Sequence, residues 1–213
     1  TSTKKLMDKK QLSNLTIRCL ILKHTEENSK MVSKGKYQDE VDYLVSSESR
    51  NNFLRNLAIK MKGNTLVLFQ LVEKHGKKLY EIIKEKADDN RKVFYIFGGV
   101  EADEREAIRG IVEKEKDAII VASYGTFSTG VNIKNLHNII FASPSKSRIR
   151  NLQSIGRGLR LGDNKVNATL YDIADDLTHK SKENFTLKHF QERINIYTEE
   201  EFDYEMHNID LKE

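Results

Sequence analysis

Five short apolar runs, separated by segments of helical periodicity, constrain this chain more than any other feature. Thr65–Phe69, Lys92–Phe97, Ala118–Ala122, His137–Ala142 and Asn167–Ile173 read as strands. Several are almost unbroken, such as Leu-Val-Leu-Phe and Ala-Ile-Ile-Val-Ala. Apolar runs without polar alternation suit strands buried on both faces, as in a parallel sheet covered by helices. The gaps carry the complementary pattern. Leu54, Leu57, Ala58 and Met61 follow i, i+3, i+4, i+7 spacing before the first of these strands, and Leu79, Ile82 and Ile83 repeat it after. Glu101–Glu113 and Ser147–Leu159 supply two further helices. Alternating strands and helices of this length predict a three-layer α/β domain with a mostly parallel central sheet. Its crossovers are right-handed, and its functional loops lie at the carboxyl ends of the strands.

Both ends extend that unit. Leu15–Leu22 is rich in branched residues and reads as an extra N-terminal strand, reached by a basic lead-in. Asn28–Lys36 is polar, with Ser and Gly, and reads as a surface loop. Leu187, Phe190, Ile194 and Tyr197 mark a late helix, which passes into an acidic tail read as a solvated end. The expected division is 1–36 as lead-in and extra strand, 37–176 as the α/β domain, and 177–213 as helical and acidic extension. The chain's 213 residues suit one such domain with appendages. No apolar run is long enough to span a bilayer, so no membrane association is expected. The single cysteine, Cys19, cannot form an internal disulfide and points to a reducing, cytoplasmic setting. No Cys/His cluster supports a metal site. Leu170-Tyr-Asp172 ends a strand in an acid, read as a capping or solvated aspartate. His75 and His137, beside core elements, are expected to be structural, and Phe69, Phe94 and Phe127 to be core.

Charge is uneven although the net value is only +4. Residues 1–36 hold nine Lys/Arg against three acids, whereas 145–160 hold Lys146, Arg148, Arg150, Arg157 and Arg160 with no acid at all. Basic clusters of this kind face a polyanion or form a solvated surface. The second cluster sits in Gln153-Ser-Ile-Gly156-Arg157-Gly-Leu-Arg160. On a helix at about 100° per residue, Arg150, Gln153, Arg157 and Arg160 share one stripe, while Leu152, Ile155 and Leu159 occupy another face. Guanidiniums gathered this way repel unless an anion or nearby acids sit among them, and the planar donor fork suits phosphate oxygens. Gly156 and Gly158 each weaken a helix by roughly 1 kcal/mol relative to alanine, which suggests a close approach to the backbone. A surface helix with locally paired arginines is the alternative.

Gln-x-x-Gly-Arg-x-x-Arg resembles motif VI of the superfamily 2 helicases, and its neighbours fall in that family's order. Val121-Ala-Ser-Tyr-Gly-Thr-Phe-Ser-Thr-Gly130-Val-Asn132-Ile resembles motif V. Asn64-Thr-Leu-Val-Leu-Phe-Gln70 resembles motif IV, and Phe97-Gly98-Gly99-Val-Glu-Ala-Asp-Glu-Arg105 resembles the glycine turn and helix between IV and V. The likeness covers residues 37–175. With Ser143-Pro-Ser-Lys-Ser-Arg, it is nearest to the recombination helicases of T-even bacteriophages. It implies a RecA-like second motor domain of an ATP-dependent DNA helicase working on branched DNA in recombination and repair. In that family Arg157 and Arg160 are the catalytic arginines, supported by Gln153. Gly130, Asn132 and Gly156 belong to the nucleotide side. Asn132 stands where aspartate is usual and brings no charge.

No G-x-x-x-x-G-K-[ST] loop is present. The resemblance therefore implies a partner, an N-terminal P-loop domain of the same protein that holds ATP and supplies the Mg2+ ligands. A DNA strand, branched or single, is the other expected partner. Its backbone would be met near Gln70, Gly98, Gly99, Ser123 and Thr126, with Lys146 and Arg148 nearby. An ordinary turn at Gly98–Gly99 and helix capping by Ser123 and Thr126 are the alternatives. For the whole chain, the alternatives are a nucleic-acid-binding module without motor activity, or the motor domain of an RNA helicase or restriction translocase.

Overall fold

The computed structural model describes residues 15–98, 101–127, 135–144 and 168–212. In chain order its elements are β1 (Leu15–Lys23), α1 (Glu26–Ser33), α2 (Tyr37–Ser46), α3 (Glu48–Lys60), β2 (Thr65–Phe69), α4 (Lys77–Lys86) and β3 (Val93–Ile96). There follow α5 (Glu101–Lys114), β4 (Ile119–Ser123), β5 (Asn138–Phe141), β6 (Ala168–Asp176), α6 (Phe185–Glu199) and β7 (Asp203–Asp210). The strands form one sheet in the order β3-β4-β2-β5-β6-β1-β7. Every pairing among them is parallel.

The apolar runs behave as two-sided strands. Leu66 and Leu68 of β2 pack on one face with Ile108 and Val112 of α5 and with Leu187 and Phe190 of α6. Val67 and Phe69 pack on the other with Leu54 and Ala58 of α3 and with Leu79 and Ile83 of α4. All four β2 side chains are fully buried, which explains the lack of polar alternation. This is the three-layer RecA-like arrangement expected, with the extra N-terminal strand inside the sheet, paired to β6 and β7. Phe69 is core, and Phe94 packs against the core, as expected. The Phe127 side chain and the helix expected over Ser147–Leu159 lie outside the described residues.

Three sequence expectations are corrected. The loop expected over Asn28–Lys36 is largely α1: Thr25 caps it by accepting the Asn28 N–H at 3.2 Å, and Glu26 and Glu27 fill the first turn. Only Val32 carries it into an apolar cluster, with Leu44 and Leu177, so its periodicity is too weak to read. The acidic end forms β7, whose residues are mostly exposed. β1 offers it a free edge, from Thr16↔Asp203 to Lys23↔Asp210. Backbone pairing rather than an apolar face makes that strand.

The third correction is Asp172, which is neither solvated nor a cap. It lies mid-strand in β6, fully buried, and takes two hydrogen bonds from Arg193 of α6, both at 2.8 Å, and one from the Tyr197 hydroxyl at 2.5 Å. Arg193 falls on the same helical stripe as Phe190 and Tyr197, so a cation faces the core and requires an anion there. Burial opposes its charge, but Asp172 more than compensates and raises its pKa further; burial likewise pushes the Tyr197 phenol up. Arg193→Ala would leave the carboxylate buried without its cation. Urea denaturation of that variant should show a loss of about 3–5 kcal/mol; a loss under about 1 kcal/mol would show that the pair does not hold α6 to the sheet.

Candidate functional site at the carboxyl rim

Three neighbouring strands end level. Ile96 pairs with Ala122, and Ser123 pairs with Phe69. The residues that follow therefore share one rim: Gly98 after β3, Ser123 closing β4, and Gln70 after β2. Gln70 and Gly98 are exposed. A Cβ added to Gly98 meets nothing nearby, so packing inside the chain does not explain a glycine there. Thr126 lies in the single helical turn Tyr124–Phe127 that leaves β4. The Ser123 hydroxyl donates to Glu104 of α5 at 2.7 Å, which ties strand to helix. Its one proton is directed at that carboxylate. Glu104 is buried, and its other oxygen, Oε1, has no hydrogen-bond partner among the described residues. Gly99, Gly130, Asn132, Lys146, Arg148, Gln153, Gly156, Arg157 and Arg160 lie outside the described residues.

Beneath this rim is a buried polar knot that the sequence reading missed. Arg50 of α3, fully buried, donates through Nε and Nη2 to the two oxygens of Asp175 on β6, at 2.9 and 3.0 Å. Its third donor, Nη1, reaches the Ala142 carbonyl just after β5 at 2.7 Å. His24, following β1, adds Nε2 to Asp175 at 2.9 Å and sets its Nδ1 3.1 Å from the Tyr43 hydroxyl. Burial would raise the Asp175 carboxyl, but the Arg50 guanidinium and the His24 contact hold it below the usual carboxylate range.

Ser143 is the second centre of the knot. The Tyr124 phenol donates to its carbonyl at 2.6 Å and accepts from its N–H at 3.2 Å. Its hydroxyl meets Nδ1 of His75, whose Nε2 lies 2.9 Å from the Asn51 side-chain oxygen. His75 sits in a wide turn, Val72–Gly76, where the Gly76 N–H reaches back to the Leu71 carbonyl at 2.9 Å. Gly76 is needed there because a Cβ would strike the Phe69 ring at 2.5 Å. The connections leaving β2, β4 and β5 thus converge on one serine, and Arg50 joins β6 to them. His75 is structural, as expected, and so is His137, whose Nδ1 lies 3.2 Å from the Asn64 backbone nitrogen.

One signal for the knot was available. Arg50, Leu54 and Ala58 share an i, i+4, i+8 stripe, which places a guanidinium on the buried face of α3 and implies an internal acid. The identity of that acid, 125 residues away, was not readable. Among the described residues no three His, Cys, Asp or Glu gather as metal ligands, and no helix is long and apolar enough to cross a membrane.

Comparison with known proteins agrees with this architecture. The family model described as the helicase conserved C-terminal domain matches residues 48–162. The ATP-dependent DNA helicase uvsW of Enterobacteria phage T4 is 36% identical over 223 residues, covering 99% of this chain and 44% of that protein. The crystal structure of T4 UvsW superposes with a TM-score of 0.80 at 34% identity, over 100% of this chain and 43% of that one. The type ISP restriction-modification enzyme LlaBIII shares the fold at TM-score 0.61 and 14% identity, over 99% of this chain and 16% of that one. The chain therefore spans under half the length of these relatives.

The knot makes stability depend on pH. Burial first, then the Arg50 cation, lowers the His75 pKa from 6.5 to about 3. Between those values the unfolded chain takes up a proton that the folded domain refuses, so stability falls as pH is lowered through that window. A group of this kind contributes up to about 1.4 kcal/mol per pH unit. Asp175 acts in the same sense below the ordinary carboxylate range. Urea denaturation between about pH 7 and pH 5 should show this decline, and His75→Gln should remove its own share of the slope. An unchanged slope in that variant would contradict the buried neutral ring.

Proposed function

Because the chain belongs to the helicase conserved C-terminal domain family, we propose that it is the second motor domain of an ATP-dependent DNA helicase or translocase. It completes an ATP site whose P-loop half lies in another domain of the same protein. The observation that carries the reading is the position of Gln153-x-x-Gly-Arg157-x-x-Arg160 in the chain. The motif falls in the connection from β5 to β6, adjacent strands whose carboxyl ends the knot ties together. Residues 37–176 make up the motor unit, flanked by 1–36 and 177–213.

In this reading Arg157 and Arg160 present guanidiniums to the γ-phosphate of ATP, and Gln153 supports them. Gly130, Asn132 and Gly156 border the same nucleotide. The phosphate cradle and the Mg2+ ligands come from the P-loop domain. Arginines carried by a second domain meet the phosphate only when the two domains close, which couples hydrolysis to domain motion. Gln70, Gly98, Gly99, Ser123 and Thr126 contact the DNA backbone, with Lys146 and Arg148 adding charge, so no sequence preference is expected. Because the Ser123 proton is held by Glu104, backbone N–H groups are the better phosphate donors at that point. A role on branched DNA in recombination and repair follows from the resemblance to phage recombination helicases.

Arginine fingers contribute on the order of 10³–10⁵ in rate. Arg157→Ala or Arg160→Ala in the full-length protein should therefore reduce DNA-stimulated ATP turnover at least about 10³-fold, while nucleotide affinity changes little. The 213-residue chain alone should hydrolyse no ATP. Full turnover in both variants would refute the assignment, and DNA binding with no turnover in the wild-type protein would favour a binding module.

A further inference from the structure

We propose that Phe97 is a stacking platform for an unpaired nucleobase, which adds a base contact to the backbone contacts of the rim and rests on the nucleic-acid reading above. Phe97 follows the last residue of β3, the edge strand of the sheet, and is 55% exposed. Few large apolar side chains among the described residues stand so far out.

Its ring is not loose. Tyr95, two residues earlier on the same face, lies 4.6 Å from it between centroids, and Tyr80 of α4 stacks on Tyr95 at 5.0 Å with the planes 15° apart. Phe69 closes in on Tyr95 from β2 at 5.9 Å. Lys84 donates to the Tyr80 hydroxyl at 3.0 Å, an exposed contact at the other end of the row. Separations of 4.5–7 Å are those at which aromatic pairs attract. Three rings from two strands and a helix thus fix the orientation of a fourth that faces solvent. A ring so positioned has little freedom to lose on binding.

The surroundings select a base over other occupants. Gly98 follows directly, exposed and with open space where a side chain would stand, so a strand can approach the backbone beside the ring. Glu73 and Glu81 lie close enough to act on Tyr95, and the Lys84 ammonium sits over the Tyr80 ring, so the flank of the row carries both signs of charge. A neutral π-surface is compatible with that flank, and the phosphates fall on the glycine side. Stacking is also tolerant of sequence, since every base has a π-face, and it is open to unpaired bases only. The platform therefore gives the rim a preference for single strands or frayed junctions over intact duplex.

Removing a stacking aromatic weakens single-strand binding on the order of tenfold. In the full-length protein, fluorescence anisotropy with a labelled oligothymidylate should show that loss for Phe97→Ala and near-complete rescue for Phe97→Trp. On an abasic oligonucleotide of the same length, wild-type and Phe97→Ala should bind alike. Two results would overturn the proposal: unchanged affinity in Phe97→Ala, or an equal loss on normal and abasic strands. The first of these, with a lowered melting temperature, would make Phe97 a protein contact. A wild-type protein that binds neither strand would remove this proposal together with the nucleic-acid reading beneath it.

Discussion

Arg50 reaches from α3 to two strand ends at once, clamping Asp175 of β6 with two donors and the Ala142 carbonyl after β5 with a third. Both ion-pair partners are out of water, so neither can be removed without leaving a buried charge. Through Ala142 the contact passes to Ser143, and from there to Tyr124 and His75. The exits of β2, β4, β5 and β6 are thereby fixed relative to one another. A parallel sheet provides strands that end level, but loops leaving them have no inherent reason to hold one arrangement. The knot supplies that constraint with directional bonds.

The two polar clusters divide the work. Asp172, Arg193 and Tyr197 sit in the middle of β6 and fasten α6 to one face of the sheet. The Arg50–Asp175–His24 cluster sits three residues further along the same strand and fastens the connections on the rim. A third contact, Glu40 of α2, accepts the backbone N–H groups of Phe185 and Thr186 at 3.0 and 2.7 Å, neutralising the open start of α6. Loops that leave a rim in one fixed arrangement need stiff joints where they begin. Buried hydrogen-bonded charge is a stiff joint, because any rearrangement exposes an unpaired partner.

The sheet was legible because it is a matter of local pattern. Leu66–Phe69 and Ala118–Ala122 announce themselves as strands buried on both sides, and α4 shows its stripe in Leu79, Ile82 and Ile83. α1 and β7 were not legible for a related reason. α1 buries only Ser29 and Val32, and β7 exists because β1 has a free edge, a fact that no property of residues 203–210 encodes. Asp172 was misread because an acid at the end of an apolar run is ordinarily at the surface. What keeps it inside is Arg193, 21 residues later. Phe97 was read only as the end of a strand and the start of a glycine turn, because its exposure is a property of the folded chain.

Read alone, the amino-acid order established a parallel α/β domain, an acid-free cluster of arginines over 145–160, and the likeness to superfamily 2 helicases. Each of these depends on residues near one another in the chain. Tertiary structure decided which polar groups meet. Asp175 finds Arg50 at a separation of 125 residues, and His24 at 151. Ser143 gathers Tyr124 and His75 from two other strand exits. Such pairings leave no periodic trace, because a buried ion pair is specified by the three-dimensional course of the backbone and by the penalty for leaving a charge unmatched.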